Sequence, residues 1–316
     1  MEPSTETRSA KIAVLIPCYN EAVTIKKVIE DFRRELPTAD IVVVDNNSTD
    51  ASVEIARTAG ARVIFERRQG KGNVVKKMFD DVDADYYVMV DADDTYHAAD
   101  VHKLLAPAME DKADMVVGTR LEAITQTSMN LVHQFGNRML LGIINFSFRS
   151  KLRDLLSGYR MMNRSYVEGI PVLSTGFEIE TELALQAMER GFRVIEVPVA
   201  YQARPEGSES KLRPLRDGAK ILFTIMSILR DYRPMTFFPA VAIILLLASV
   251  GTGLVVFLDY LEKGLVTRLP LALITVGLAI TSLLVLIAGF IVSTINRRFE
   301  ENHILLFRLL KKKKPQ

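Results

Sequence analysis

Two long stretches near the C-terminal end of the chain contain no charged residue. They cover residues 234–258 and 269–296. Each is longer than the roughly 20 residues that an apolar helix needs to cross a bilayer. A helix in the core of a soluble protein rarely remains free of charge over such a length. The sequence therefore predicts two membrane-spanning helices, and residues 11–212 are expected to form a separate folded domain.

Basic residues flank the outer ends of both predicted spans. Residues 213–233 are predicted to form an amphipathic juxtamembrane helix, and residues 297–316 a basic tail. The flanking cations are Arg213, Arg216, Lys220, Arg230, Arg233, Arg297, Arg298 and the lysines at 311–314. Between the spans, the negative charges of Asp259 and Glu262 balance the positive charges of Lys263 and Arg268. A run of charged residues is usually just a solvated face, but the position of these cations beside the spans favours attraction to anionic lipid. The same cations predict that the domain and the tail are both cytoplasmic.

The composition of the chain limits which classes of protein it can belong to. Lys and Arg number 40 against 38 Asp and Glu, a formal charge of +2, so nothing requires a nucleic-acid partner. The single cysteine, Cys18, can form no internal disulfide and suits a reducing compartment. Residues 1–10 are polar and lack the apolar core of a signal peptide, so they are expected to be a disordered lead-in.

Before the spans, short apolar runs alternate with amphipathic stretches. The runs predict strands at residues 11–17, 41–44, 62–65, 86–90, 115–118 and 192–198. The amphipathic stretches predict helices at residues 21–36, 51–59, 70–81 and 177–190. Asn20 is expected to cap the first helix, and Val23, Val28, Ile29 and Phe32 to be its buried stripe. This alternation predicts an α/β fold with a doubly wound, mostly parallel sheet.

One predicted helix has two open interpretations. Residues 131–148 are mostly apolar and carry His133 and Arg138 as candidate cations. They could form an ordinary core helix. With spans downstream, a helix that lies in the membrane interface is at least as good an interpretation.

The strand predicted at residues 86–90 ends in three carboxylates, Asp91, Asp93 and Asp94. Alternate residues of a strand share a face, so Asp91 and Asp93 can point the same way. Two such carboxylates repel unless a cation or hydrogen bonds compensate them, and a divalent ion that also bridges phosphates would do so. Capping of the next helix is the plainer alternative. Other strands also end in polar residues, where ligands of such sheets bind, and this favours the metal site.

Two familiar nucleotide motifs are excluded. No G-x-G-x-x-G follows the first strand, where Pro17, Tyr19 and Asn20 form the turn. Residues 70–72 read Gly-Lys-Gly but lack the upstream glycine and the following Ser or Thr of a P-loop. Lys71 and the backbone N–H groups at this helix start could still meet a phosphate, although a plain turn is the favoured interpretation.

Six segments in order resemble the motifs of family-two glycosyltransferases, and more narrowly those of polyprenyl-phosphate glycosyltransferases of the dolichol-phosphate mannose synthase type. They are Pro17-Cys18-Tyr19-Asn20-Glu21, Asp45-Asn46-Asn47-Ser48, Asp91-Ala92-Asp93, Gly118-Thr119-Arg120, Ser157-Gly158-Tyr159-Arg160 and the loop at 204–212 with Ser210-Lys211-Leu212. The resemblance covers residues 11–233, and two C-terminal spans are a known variant of the subgroup. Each motif alone is weak, but their order is specific.

The resemblance implies a GT-A fold and transfer of one sugar, with inversion, from a nucleotide sugar to a polyprenyl phosphate such as dolichyl or undecaprenyl phosphate. It assigns the donor nucleotide to Pro17, Tyr19, Glu21, Asp45, Asn47, Lys71 and Asp91. It assigns Mg²⁺ or Mn²⁺ to Asp91, Asp93 and Thr95. It assigns the acceptor phosphate to Arg120, Arg138, Ser157, Arg160, Ser210 and Lys211, and catalysis to Asp93, Arg120, Arg204 and Lys211. No general base is assigned, because a phosphate monoester is largely anionic above its second pKa of about 6.

Two departures from the family pattern bear on the donor. The family often has Asp-Asp-Gly-Ser where this chain has Asp45-Asn46-Asn47-Ser48, so the contact to the base is expected to differ. Mannose synthases often have Gln two residues after the metal-binding aspartate, where this chain has Thr95. These departures favour a UDP-sugar, with GDP-mannose as the alternative.

Two other functions were weighed. A processive polysaccharide synthase would carry a Q-x-x-R-W segment, and this chain has no tryptophan. A non-catalytic membrane scaffold would be signalled by loss of a metal-binding aspartate, and both are present. The expected partners are therefore a nucleotide sugar, a polyprenyl phosphate lipid and the membrane. Gly251 and Gly253 weakly suggest a homo-oligomer.

Overall fold

The computed structural model describes residues 10–120, 141–142, 144–145, 151–176, 178–205, 222–223, 226–227, 229–231 and 233–313, the last fourteen by their backbone. The chain divides into two compact units, Met1–Thr224 and Ile225–Gln316. Most of the predicted helix at 131–148 and of the predicted juxtamembrane helix at 213–233 lies outside the described residues. The parts that are described, such as 144–145 and 229–231, are helical.

The first unit is built on a seven-stranded sheet. Its strands are β1 (Ile12–Cys18), β2 (Asp40–Asp45), β3 (Arg62–Phe65), β4 (Tyr86–Met89), β5 (Met115–Thr119), β6 (Arg160–Asn163) and β7 (Val194–Pro198). Their order is β3-β2-β1-β4-β6-β5-β7. All neighbours are parallel except β6, which is antiparallel to both β4 and β5. The prediction of a mostly parallel α/β sheet is confirmed.

Helices connect these strands and continue into the second unit. They are α1 (Ile25–Glu35), α2 (Ser52–Thr58), α3 (Lys71–Asp81), α4 (Val101–Met109), α5 (Arg164–Gly169), α6 (Ile179–Glu189), α7 (Pro234–Lys263) and α8 (Leu269–Lys313). A short 3₁₀ turn, Ala98–Asp100, precedes α4. β6 and α5 were not predicted, because four residues that begin with an arginine carry no alternating pattern long enough to indicate a strand.

The first helix shows how tertiary contacts changed a local prediction. Val28, Ile29 and Phe32 are buried as expected. Two details were wrong: α1 starts at Ile25, without a side-chain cap, and Val23 is 59% exposed. Asn20 adopts a positive φ of 54° and accepts a hydrogen bond from the Thr49 N–H instead of capping α1. The turn after β1 therefore joins the neighbouring loop after β2.

The second unit is an antiparallel pair of long helices, α7 and α8. The Ser249 hydroxyl donates to the Thr275 carbonyl, and the Ser282 hydroxyl donates to the Ala242 carbonyl, each at 2.8 Å. A side chain at Gly289 would approach Phe238 Cβ to 2.5 Å, so this glycine permits close packing. Pro234–Lys263 and Leu269–Phe299 are both long and apolar enough to cross a membrane.

Both helices continue beyond their charge-free runs. The prediction ended them at 258 and 296, whereas α7 ends at Lys263 and α8 at Lys313. Asp259 pairs with Lys263 one turn later, at 2.5 Å, and Gly264 ends α7 with a φ of 67°. Charged residues follow the apolar segments without Gly or Pro before position 313, so they extend α8.

Candidate active site

The polar strand ends lie together because of the sheet order. β1 lies between β2 and β4, with Cys18 opposite Asp45 and Leu15 opposite Met89. The three strands are parallel, so their carboxyl ends share one edge of the sheet. The Thr24 hydroxyl donates to the Ala92 carbonyl at 2.6 Å and ties the turn after β4 to the segment after β1. The predicted site residues that follow these three strands therefore lie at this edge.

Asp93 is buried and held from two sides. Its carboxylate accepts a hydrogen bond from the Thr95 hydroxyl at 2.6 Å and pairs with Arg204 Nη2 at 2.6 Å. Arg204 Nη1 also lies 3.7 Å from Glu21 Oε1. Burial raises the pKa of the Asp93 carboxyl and the charge of Asp91 raises it further, while Thr95 and Arg204 lower it. The structure thus brings together four of the predicted site residues, Asp93, Thr95, Arg204 and Glu21.

Arg204 reaches this carboxylate because the segment after β7 folds back along the turn after β4. The Gln202 N–H donates to the Thr95 carbonyl at 2.9 Å, and the Gln202 side-chain amide donates to the Asp94 carbonyl at 2.8 Å. Tyr96 and Tyr201 form an antiparallel bridge. Residues more than 100 positions apart in the sequence thereby become neighbours.

Asp94 belongs to a separate ion pair. Its φ is 56°, a left-handed conformation that Asp tolerates better than most residues. The carboxylate pairs with Lys27 Nζ on α1 at 2.7 Å, and this contact raises the pKa of Lys27. The charge of Asp94 is therefore neutralised by a lysine of α1. Asp91 and Asp93 are left as the pair of carboxylates at the site.

Asp91 is paired with a lysine from α3, the helix that precedes β4. Lys71 Nζ lies 2.5 Å from Asp91 Oδ1 and 2.5 Å from Glu180 Oε1 on α6. Burial alone would lower the pKa of Lys71, but the two carboxylates outweigh it and raise the pKa. Gly158 lies directly beside Asp91, since a Cβ there would come within 2.1 Å of Oδ2. The glycine of the Ser-Gly-Tyr-Arg segment therefore makes room for this carboxylate.

The loops after β1 and β2 are joined by side-chain to backbone hydrogen bonds. Ser48 accepts from the Asn20 N–H at 2.9 Å, and Ser52 accepts from the Glu21 N–H at 2.8 Å. Asp45 is buried and accepts from the Ser48 N–H at 3.2 Å. The predicted nucleotide-contacting residues Tyr19 and Asn47 are exposed beside these bonds, and Pro17 is half-buried.

Asn46, which directly follows β2, makes hydrogen bonds with both the nitrogen and the oxygen of its side-chain amide. It donates to the Glu66 and Arg68 carbonyls at 2.9 and 2.8 Å, and its oxygen accepts from the Gly70 N–H at 2.7 Å. Asn46 is 4% exposed. It therefore anchors the loop between β3 and α3 to the end of β2.

Arg120 is fixed at the end of β5. It donates to both oxygens of Asp154 at 2.8 Å and lies over the Tyr201 ring, 5.5 Å from its centroid. Burial would lower the pKa of Arg120, but Asp154 raises it, so the guanidinium remains charged. Ser157 donates to the Gly118 carbonyl at 2.5 Å and lies 3.4 Å from the Tyr96 hydroxyl.

Arg160 is placed differently from a surface phosphate ligand. Its side chain is fully buried and donates to the Ser157 and Leu155 carbonyls at 2.9 and 2.7 Å. Burial lowers the pKa of its guanidinium. In this structure Arg160 supports the segment that carries Ser157, and its predicted contact with the acceptor stays a prediction. Arg138, Ser210 and Lys211 lie outside the described residues.

Sequence reasoning missed three charged or aromatic groups at the site. Asp154 orients Arg120, Tyr201 supports it, and Glu180 holds Lys71. Glu180 carried a misleading signal, because an acid in the first turn of a helix is usually exposed there and stabilises the helix dipole. Here α6 is buried around most of its circumference, and Glu180 is 4% exposed.

The residues at this edge fit a metal ion that shares its ligands with a substrate. No three His, Cys, Asp or Glu side chains converge into a metal cage anywhere in the described ranges. Asp91 and Asp93 supply hard oxygen donors, and the Thr95 hydroxyl donates a hydrogen bond to the Asp93 carboxylate. Mg²⁺ characteristically binds to one or two carboxylates together with phosphate oxygens and water. A site with two carboxylates suits that arrangement.

The chain is similar to known proteins over much of its length. Residues 13–170 match the sequence profile described as Glycosyl transferase family 2. Glycosyltransferase AglJ of Haloferax volcanii is 37% identical over 77% of this chain and 78% of its own length. A protein of the same organism named dolichyl-phosphate hexose transferase is 32% identical over 72% of this chain and 98% of its own length.

Solved structures share the fold. Glucosyl-3-phosphoglycerate synthase from Mycobacterium tuberculosis, in complex with Mn²⁺, UDP-glucose and phosphoglyceric acid, superposes with a TM-score of 0.58. It is 22% identical and covers 70% of this chain and 80% of its own. The fold is therefore of the GT-A class. The chain belongs to glycosyl transferase family 2, and it is a glycosyltransferase.

Proposed function

We propose that this protein transfers one sugar, with inversion, from a nucleotide sugar to a polyprenyl phosphate at the cytoplasmic face of a membrane, and that a UDP-sugar is the donor. The observation that carries the proposal is the joint arrangement of two carboxylates, Asp91 and Asp93, with the cations Lys71 and Arg204 at one edge of the sheet. The Haloferax relative named dolichyl-phosphate hexose transferase supports the acceptor class. The two apolar helices suit an acceptor that stays in a bilayer.

The chain's own residues account for most of the chemistry. The acceptor phosphate is already anionic near neutral pH, so its oxygen can attack the anomeric carbon without a strong base. As that bond forms, the bond from the sugar to the diphosphate breaks and negative charge grows on the leaving group. In this proposal Lys71 neutralises this charge, and Arg120 and Arg204 hold the two anions close together.

A divalent metal held by Asp91 and Asp93 would stabilise the departing diphosphate by several kcal/mol. Thr95 and Arg204 orient Asp93 for this role, and Gly158 leaves space for Asp91. Mg²⁺ and Mn²⁺ are the ions with the matching preference for oxygen ligands.

A donor screen tests the proposal. The full chain in detergent receives Mg²⁺ or Mn²⁺, a short polyprenyl phosphate and each common UDP- or GDP-sugar in turn, and mass spectrometry reports the lipid. We expect one UDP-sugar to give a glycosylated lipid, and chelation to abolish it. A product from GDP-mannose alone would move the donor to the alternative class. Nucleotide binding without any lipid product would favour a non-catalytic scaffold.

The role of Asp93 has its own test. Asp93→Asn keeps the shape of the side chain but removes the charge that a metal requires, so transfer should fall by at least about a hundredfold, a loss of the several kcal/mol ascribed to a metal. Asp80→Asn, on the exposed side of α3, is the matched control and should retain activity. Near-normal turnover by Asp93→Asn would contradict metal catalysis at this carboxylate.

A further inference from the structure

Lys71 is shared between two carboxylates that come from different elements, the buried Glu180 and the half-buried Asp91. Its ammonium lies 2.5 Å from both Asp91, after β4, and Glu180, on α6. The side chains of Lys71 and Glu180 are 11% and 6% exposed, and that of Asp91 is 26% exposed. One cation thus serves two anions, and Asp91 is the one on the open side of the cluster.

The backbone around Lys71 is rigidly placed. A Cβ at Gly70 or Gly72 would come within 2.0 Å of the Thr175 or Ser174 carbonyl, and the Gly72 N–H donates to the Thr175 carbonyl at 3.1 Å. That carbonyl accepts from one N–H group of the first turn of α3. Protein atoms therefore crowd both glycines at the start of this helix, and the side chain of Lys71 reaches from there to Asp91.

The loop that closes over α3 is itself held by α6. Glu182 accepts hydrogen bonds from the Leu173 and Ser174 N–H groups at 2.9 and 2.6 Å. Because α6 also carries Glu180, one helix positions both the backbone and the ammonium of Lys71. Such double support is more than a simple surface ion pair requires.

We propose that Lys71 is a resident counter-ion that occupies Asp91 while the site holds no metal, and that it moves to the donor diphosphate when Asp91 takes a metal ion. Glu180 is the positioning residue that retains Lys71 during this exchange. The inference rests on the proposed function, since it requires a metal and a diphosphate at the same edge. It adds a competition between a protein cation and the metal for one carboxylate.

The charges give the reason for the exchange. A lysine and a divalent ion on the same carboxylate repel each other. A cation within about 4–6 Å of a carboxyl lowers its proton affinity by about tenfold or more, and we expect a comparable effect on its affinity for a divalent ion. If Lys71 leaves Asp91, Glu180 still neutralises it, so no buried ammonium is left unpaired. The diphosphate offers a second anionic partner within the site. Metal entry and cation delivery to the leaving group are thereby one event.

This exchange predicts opposite effects for two neutralising substitutions. Lys71→Met removes the competitor, so the full chain should bind Mn²⁺ about tenfold more tightly without nucleotide, while sugar transfer falls. Glu180→Gln leaves Lys71 to Asp91 alone, so Mn²⁺ binding should weaken by a similar factor. If Lys71 were a permanent partner of an Asp91 that binds no metal, or were only a contact of the donor, Lys71→Met would not tighten Mn²⁺ binding.

The measurement is a Mn²⁺ titration of the detergent-solubilised protein, with free Mn²⁺ read by electron paramagnetic resonance. Lys76→Met, exposed on the same helix, is the matched control and should bind Mn²⁺ as the wild type does. Because Lys71→Met leaves the carboxylates of Asp91 and Glu180 together without a cation, the double variant Lys71→Met/Glu180→Gln provides a second test. It keeps Asp91 without a competing cation, so it too should bind Mn²⁺ more tightly than the wild type.

Wild-type affinity or weaker binding in the double variant overturns the exchange, as does an absence of Mn²⁺ binding in every protein. Tighter binding in the variants together with no lipid product from any donor would instead support the exchange and contradict the proposed acceptor. The two failures are therefore distinguishable.

Discussion

At the scale of single residues, Asn46 explains a departure from the family pattern. The corresponding family residue is often Asp, but Asn46 donates two hydrogen bonds to the Glu66 and Arg68 carbonyls and accepts one from the Gly70 N–H. Only an amide can donate and accept in this way, since an ionised carboxylate is solely an acceptor. The residue is therefore a loop anchor, and its identity follows from the three backbone groups that face it.

Asn46→Asp should weaken donor binding by loosening that loop. The change removes two donors and places a negative charge against carbonyl oxygens, which costs about 2 kcal/mol of unfolding free energy. We expect KM for the nucleotide sugar to rise more than kcat falls. The reason is that Asn46 positions the loop between β3 and α3 and does not itself position a reacting atom. Thermal unfolding and steady-state kinetics measure the two effects.

Asn73→Asp is the matched control, because the Asn73 side chain donates one longer bond, 3.2 Å, to the Gln69 carbonyl. Its effects on both measurements should be small. If Asn46→Asp and Asn73→Asp behave alike, Asn46 does not anchor the loop between β3 and α3.

At the scale of elements, the two apolar helices depend on small and hydroxyl residues where they meet. Ser249 and Ser282 each donate across the pair, and Gly289 faces Phe238 at a distance that excludes a side chain. In an apolar environment, close packing and hydrogen bonds between helices replace the hydrophobic effect. Gly251 and Gly277 differ, since a Cβ at either meets nothing within 4 Å in the described residues.

Gly289→Leu should separate α7 from α8, and Gly277→Leu should not. The contact is read by pairing Ala242→Cys with Ser282→Cys, whose native groups are in hydrogen-bond contact, and measuring disulfide yield by mass spectrometry of peptides. We expect a marked loss of cross-link with Gly289→Leu. Equal yields in the two leucine variants would mean that Gly289 does not control the packing of the pair.

At the scale of the whole molecule, charge is distributed unevenly around the apolar helices. Basic residues precede α7 and follow the apolar part of α8. The segment between the two charge-free runs carries opposing charges, which include the Asp259–Lys263 pair in the last turns of α7. Cationic segments beside a span are retained on the cytoplasmic side. The glycosyltransferase domain and the tail should then be on the same side of the membrane.

Limited proteolysis tests this orientation. A C-terminal epitope on the full chain should be removed by trypsin in inside-out vesicles and protected in right-side-out vesicles, because the basic tail would face the cytoplasm. The segment between the two charge-free runs, which contains Lys263 at the end of α7 and Arg268 before α8, serves as the internal control and should show the reverse. Protection of the tail in inside-out vesicles would contradict the predicted topology.

The sequence by itself determined the α/β order, the polar strand ends and the apolar helices. These follow from local periodicity, from residues that must be buried or solvated, and from the order of motifs along the chain. β3 was predicted with its observed bounds, and most other strands to within one or two residues. The predicted Asp91 and Asp93 pair is placed at one edge because parallel neighbouring strands end together.

Only the tertiary structure decided which charges meet. The contacts of Lys71 with Glu180, of Arg204 with Asp93 and of Arg120 with Asp154 each join residues far apart in sequence. No local pattern encodes such pairs, because a charged residue on a helix or loop has the same local signature whether it is solvated or paired. The antiparallel β6 is the clearest example: four residues become a central strand since β4 and β5 offer it open edges on both sides.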